Sequence, residues 1–245
     1  MSGTRHWRRR SAREASPPHR APRTWLFDLD NTLHDALPAI MPRINRDMND
    51  YVARALSLSD EEAAEVRIAY WRRYGATLLG MIHHHRVDPH AFLRDTHRFP
   101  DMARLVRRAG RLATVLRRLP GRRLVVTNAP RHYARAVLQQ LGLAPHLHGL
   151  VSIEDMTFAG RWQPKPSAMM LRRLAARHRL DPARCVMVED SPGNLVAARA
   201  VRMGTVLVSG WAWRGKAGKR PLAGRGRRID FQIQSVLTLP RIALR

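Results

Sequence analysis

The chain is poor in cysteine, lysine and acidic residues, and it has no long apolar run. Cys185 is the only cysteine, so no intrachain disulfide can form. A reduced thiol on a core strand, in a cytoplasmic setting, is the expectation. No apolar stretch approaches the ~20 residues that a bilayer-spanning helix needs, so no membrane partner is expected. The N-terminus is basic but lacks the apolar h-region of a secretory signal. Lysine occurs only at Lys165, Lys216 and Lys219, against 41 arginines. That bias runs through the whole chain and reads as a coding preference rather than selection at one site.

Acids number 19 against 44 bases, a formal net charge of +25. Much of the excess sits outside the patterned part of the chain. Residues 1–23 carry seven arginines and one glutamate, and residues 211–228 carry five arginines, two lysines and no acid. Neither stretch has zinc-ligand spacing or another nucleic-acid-binding motif, so nucleic acid is not the expected partner. A basic body also attracts phosphorylated small molecules. The 245 residues and 44% hydrophobic content suit one globular core with an insertion.

Four segments carry chemistry. Trp25, Leu26 and Phe27 form an apolar run that ends in Asp28-Leu29-Asp30-Asn31-Thr32-Leu33. A strand entering a loop there exposes two carboxylates at its carboxyl end, where open α/β sheets place their sites. One acid can attack phosphorus while the second handles a proton. Leu124 to Ala129 is a second apolar run, ending in Thr127 and Asn128. Its hydroxyl and neighbouring N–H groups can hold a phosphoryl oxygen, although Asn128 also suits a helix N-cap. Gln163-Pro164-Lys165-Pro166-Ser167 holds a lysine between prolines. A compact ammonium there can neutralise a carboxylate and a phosphate together; an ordinary surface lysine is the alternative. Cys185 to Asn194 is a strand ending in Glu189 and Asp190, followed by Pro192 and Gly193. Asp190 with Asp28 offers the one or two carboxylates that Mg²⁺ takes beside phosphate and water; a helix-capping acid is the alternative.

The four segments, in this order, resemble the signature motifs of the haloacid dehalogenase superfamily of aspartate-nucleophile phosphatases, over residues 23–210. The resemblance implies Asp28 as nucleophile and Asp30 as general acid, then base. Thr127 and Asn128 would bind phosphate, together with the motif lysine Lys165. Mg²⁺ would be held by Asp28, Asp190 and the backbone carbonyl of Asp30, with Glu189 ordering a metal-bound water. Asp30 also favours phosphate esters over halides, because only an ester oxygen needs a proton as it leaves.

Alternating strands and helices predict an α/β fold, a Rossmann-like doubly wound parallel sheet. Strands are expected to end at Asp28, Thr127, Ser152, Asp190 and Ser209, with a last strand near residues 229–233. Ala134, Val137, Leu138 and Leu141 share a helix face that closes at Gly142. Met170, Leu171, Leu174 and Ala175 share another, with Arg172, Arg173 and Arg177 outward. A third helix runs from Leu195 to Met203 and closes at Gly204. About 100 residues separate Asp28 from Thr127, but only 38 separate Thr127 from Lys165. A helical cap therefore belongs at residues 36–110, between the first and second motifs. The core takes residues 23–35 and 111–245, with 211–228 as a basic loop, and residues 1–22 form a disordered basic tail. In the cap, Met41, Ile44, Met48, Tyr51, Val52 and Ala55 follow helix spacing, and Ser59-Asp60-Glu61-Glu62 is a capping box.

The segment from Tyr70 to Met81, then His83-His84-His85-Arg86-Val87-Asp88-Pro89, resembles the cap of the pyrimidine 5′-nucleotidase branch, as does Asp30-Asn31-Thr32-Leu33. Plain helix packing also explains Tyr70, Trp71 and Tyr74. Three consecutive histidines do not share a helix face, so they read as a solvated helix end rather than a metal site. The expected substrate is a nucleoside 5′-monophosphate, UMP or CMP first. Phosphoglycolate or a sugar phosphate is the alternative, and a nucleic-acid-binding protein on a phosphatase scaffold a more distant one.

Overall fold

The computed structural model describes residues 23–211 and 229–240. The expected N-terminal tail, and the basic loop from residue 212 to 228, lie outside the described residues. Among those described, no helix is long and apolar enough to cross a membrane.

The chain opens with strand β1 (Thr24–Phe27), then five helices: α1 (Ile40–Leu56), α2 (Asp60–Tyr74), α3 (Thr77–His85), α4 (Pro89–Thr96) and α5 (Met102–Leu105). Helix α6 (Gly110–Arg118) leads into β2 (Arg122–Val126), α7 (Arg131–Leu141), β3 (Gly149–Val151) and a hairpin, β4 (Thr157–Phe158) with β5 (Arg161–Trp162). Then come α8 (Ala168–Arg177), β6 (Cys185–Glu189), α9 (Pro192–Ala200), β7 (Gly204–Val208) and β8 (Phe231–Ile233). Six strands form one parallel sheet in the order β3-β2-β1-β6-β7-β8. This is the doubly wound α/β core read from the sequence.

Strand periodicity divides the core. Side chains alternate across a strand, so Trp25 and Phe27 of β1 join one cluster and Leu26 the other. The first face meets Leu112 and Leu116 of α6 and Tyr133, Ala134, Val137, Leu138 and Leu141 of α7. The second meets Met170, Leu171, Leu174 and Ala175 of α8 and Leu195 and Ala198 of α9. All four residues of β1 are buried. A strand covered on both faces reads as a continuous apolar run, as Trp25 to Phe27 do.

The helical insert has its own small core of Val52, Ala63, Leu78, Met81, Phe92 and Leu93, joined by Ile153 from beyond β3. Helix α1 ties it down: Ile40 and Ile44 pack in the sheet-side cluster, and Val52 packs in the insert. The capping box forms, with Ser59 Oγ accepting from the Glu62 N–H and the Glu62 carboxylate accepting from the Ser59 N–H. Gly142 takes the left-handed position after α7 at φ 72°.

Two boundaries differ from the sequence reading. The third helix ends at Ala200, and Arg202 takes the left-handed turn at φ 68°. Gly204 instead opens β7, where a Cβ would stand 3.4 Å from Val186 Cγ2. The last strand begins at Phe231 rather than at residue 229, because Asp230 folds back to accept from the Thr205 N–H and hydroxyl.

Gly121 sets the entry to β2. Its φ is +89°, and a Cβ there would lie 1.8 Å from the Arg23 carbonyl oxygen, to which the Arg122 N–H donates. We expect Gly121→Ala to cost about 2–4 kcal/mol through strain and backbone clash. Denaturant unfolding would measure this, and a loss below about 0.5 kcal/mol would contradict the close approach.

Candidate active site

Parallel strands bring the motif residues to one edge. Asp28 follows β1, and its N–H donates to the Val188 carbonyl at 2.9 Å. Thr127 follows β2, and its N–H donates to the Val151 carbonyl at 2.9 Å. Glu189 ends β6, and Asp190 follows it. Strand β1 stands between β2 and β6, where the chain order reverses. That switch point is where open α/β sheets hold ligands.

Lys165 joins the segments. Its ammonium donates to Asp28 Oδ1 and Glu189 Oε2, each at 2.7 Å. All three residues are buried. The loop that carries Lys165 is clamped from β2: Asn128 Nδ2 donates to the Lys165 carbonyl, and the Lys165 N–H donates to Asn128 Oδ1, both at 2.9 Å. An amide side chain offers one acceptor and one donor group in the pattern of a peptide unit. The Asn128 side chain, expected on phosphate, is therefore engaged in positioning Lys165. The buried Thr127 hydroxyl accepts from the Ala129 N–H at 3.0 Å, which leaves its own proton to donate. Glu189 Oε1 accepts from the N–H groups of Asp190 and Ser191, both at 3.2 Å, and so shapes the turn after β6.

Asp30 faces a different set of partners. Its Oδ1 accepts from the Tyr133 hydroxyl at 2.6 Å and meets His34 Nε2 at 2.8 Å. Sequence reasoning did not include His34 or Tyr133. Tyr133 was accessible to it: it lies four residues before Val137 on the apolar face of α7, and a buried tyrosine hydroxyl needs a partner.

The two acids of the first motif sit in opposite electrostatic settings. Burial, then the nearby Glu189 charge, pushes Asp28 up to about 7 despite Lys165. Burial also works on Asp30, but the hydrogen bond and charge of His34, with Tyr133, hold it below the usual carboxylate range. Asp190 rises to about 9 through burial and the charges of Asp28 and Glu189. Burial opposes the charge on Lys165, yet Asp28 and Glu189 together hold it above the usual lysine range.

Asp28, Glu189 and Asp190 each offer an oxygen, all within 4.8 Å of one another. Among the described residues Lys165 is the single cation in ion-pair contact with this cluster, and none pairs with Asp190. An all-oxygen donor set with excess negative charge fits a hard divalent cation. The Asp30 carboxylate lies outside this group of three, so any ligation from that residue would fall to its backbone carbonyl.

The raised carboxyls have a consequence for stability. Asp28 and Asp190 rise from 3.8 to about 7 and about 9, so the metal-free folded chain holds protons that the unfolded chain has released. Stability then falls as pH rises through that window. His97, lowered by burial to about 4, has the opposite effect only below its ordinary 6.5. The metal-free melting temperature should therefore drop between about pH 6.5 and 9, and added Mg²⁺ should raise it more at the upper end. A flat profile, or equal Mg²⁺ stabilisation at both ends, would count against the cluster as the cation site.

Comparisons with known proteins agree with this geometry. The model of the haloacid dehalogenase-like hydrolase family matches residues 22–202. A phosphoglycolate phosphatase of Cupriavidus necator is 28% identical over 230 residues, spanning 89% of this chain and 91% of its own. One from Rhodospirillum rubrum is 28% identical over 207 residues, spanning 77% and 80%. Among solved structures, CbbY from Rhodobacter sphaeroides in complex with phosphate superposes with a TM-score of 0.59 at 20% identity, covering 89% of this chain and 96% of that one. The HAD phosphatase from Thermococcus onnurineus gives 0.55 at 21%, covering 90% and 97%. By the span of that family match, reinforced by the sheet order and the residues gathered at its carboxyl edge, the chain belongs to the haloacid dehalogenase-like hydrolase family.

Proposed function

We propose that the chain hydrolyses a small phosphate monoester through an aspartyl phosphate on Asp28. The observation that carries this is the buried Asp28–Lys165–Glu189 ion contact at the sheet edge, with a second acid, Asp30, held separately two residues on.

Lys165 engages Oδ1 of Asp28, and Oδ2 has no hydrogen-bond partner among the described residues, so Oδ2 is the attacking atom. It forms a bond to phosphorus as the ester P–O bond breaks. Asp30 protonates the departing oxygen; the negative charge of the arriving phosphate favours its protonated form. Asp30 then takes a proton from water, which attacks phosphorus and releases Asp28. Lys165 and the Thr127 hydroxyl stabilise charge on the equatorial oxygens. Mg²⁺ held by Asp28, Asp190 and the Asp30 carbonyl would neutralise phosphate charge as a Lewis acid.

The helical insert supports a cap role for residues 36–110. Its α2–α3 turn reaches the catalytic loop: a Cβ on Gly75 would lie 3.2 Å from Pro166 Cδ, next to Lys165. A cap in that position restricts substrate size and water entry.

The favoured substrate is 2-phosphoglycolate or a comparably small phosphorylated acid. Support comes from the names of the curated relatives and from the +25 charge, which draws in anions. UMP and CMP stand second. The aromatic residues behind that reading turn to other partners: the hydroxyls of Tyr70 and Tyr74 bond His85 and His84, and Trp71 is 60% exposed. The lone buried thiol of Cys185 accords with a reducing cytoplasm.

Phosphate release with Mg²⁺ across 2-phosphoglycolate, UMP, CMP and sugar phosphates tests the reading. We expect 2-phosphoglycolate to lead, and Asp28→Asn to lose on the order of 10⁴-fold or more in turnover with an unchanged circular-dichroism spectrum. Nucleotide preference would overturn the substrate; an active Asp28→Asn would overturn the mechanism.

A further inference from the structure

Both hydrogen bonds that reach the Asp30 side chain fall on the same oxygen. Tyr133 Oη lies 2.6 Å and His34 Nε2 2.8 Å from Oδ1. Oδ2 has no hydrogen-bond partner among the described residues, and the side chain keeps 15% exposure. An ionised carboxylate has no proton to give, so the tyrosine hydroxyl and the imidazole N–H are the donors. The donors themselves are well anchored. Tyr133 is 1% exposed on the inner face of α7, edge-on to His97 and tilted against Phe99. His34 is 6% exposed and lies four residues after Asp30, in a turn where the Leu33 N–H donates to the Leu29 carbonyl.

We propose that His34 and Tyr133 are positioning residues that clasp Oδ1 of Asp30 and thereby make Oδ2 the oxygen that exchanges protons with the leaving group and with water. The inference rests on the acid–base role of Asp30 proposed above and assigns that role to one atom. Two donors on Oδ1 leave no place for a proton there, so a proton arriving on Asp30 sits on Oδ2. The same contacts restrict rotation of the carboxyl group. Restricted rotation matters because proton transfer needs the acid within hydrogen-bond reach of the oxygen it serves. Neither donor changes charge in the step: the proton moves from Oδ2 to the ester oxygen, then from water back to Oδ2.

Leaving-group dependence tests this. An alkyl phosphate such as 2-phosphoglycolate has a poor leaving group and needs the acid, whereas p-nitrophenyl phosphate hardly does. For kcat/KM, which reports the phosphoryl-transfer step, Tyr133→Phe and His34→Leu should each lower the alkyl ester by about 10- to 100-fold and the aryl ester by less than about threefold. His34→Gln, which restores a donor near the Nε2 position, should recover most of the alkyl loss. Melting temperatures of the variants separate misfolding from misplacement. Equal losses on both esters, no loss on the alkyl ester, or no recovery with His34→Gln would overturn the clasp. Asp30→Asn supplies the separate control. If it too lacks leaving-group selectivity, the acid role itself fails and the clasp with it. If it is selective while the clasp variants are not, only the clasp fails.

Discussion

The Lys165 ammonium, 2% exposed and bonded to both Asp28 and Glu189, is the constraint around which the site is arranged. A buried charge of either sign is costly unless paired with good geometry. Here one cation serves two acids from two different strands. That requires β1 and β6 to be neighbours, and the loop after β5 to be held at their carboxyl ends. Asn128 meets the last requirement from β2 by pairing with the Lys165 backbone. The contact therefore depends on the strand order as much as on the residues themselves. It leaves Asp190 as the acid without a cationic partner among the described residues, which is why the cluster suits a divalent ion.

Much of this was legible in the chain. Strand positions followed from apolar runs ending in polar residues, and helices on both faces of the sheet followed from the alternation of strands with helices. The long interval before Thr127 and the short one before Lys165 pointed to an insert before the second motif, and helices α1 to α5 lie in that interval. The scarcity of lysine made Lys165 conspicuous. These features are local, or depend only on spacing, so a linear reading recovers them.

What escaped the reading was long-range or conformational. The Asn128–Lys165 clamp spans 37 residues and the Tyr133–Asp30 bond 103. No local pattern specifies which polar atoms meet across such distances. Gly204 was read as a helix stop because glycine commonly follows helices, but the helix stops earlier, and the glycine admits the next strand close to Val186. The histidines of α3, read as a solvated helix end, are exposed there and bond the tyrosines of α2, so helix packing accounts for both sets.

The two acids two residues apart show how one loop holds two like groups in different environments. Asp28 is surrounded by acids and one shared ammonium, so its charge is retained only in a balance with Lys165 or a bound cation. Asp30, with 15% of its side chain exposed, is given donors on a single oxygen and lies below the usual carboxylate range. Environments that separate two like groups in this way mark distinct chemical assignments. Leu29 between them is 0% exposed and packs in the core, while the acids on either side meet different neighbours. Asp28 then meets the β6 side of the edge and Asp30 meets α7. The different settings of the two acids thus follow from the partners each meets: Lys165 and Glu189 for Asp28, His34 and Tyr133 for Asp30.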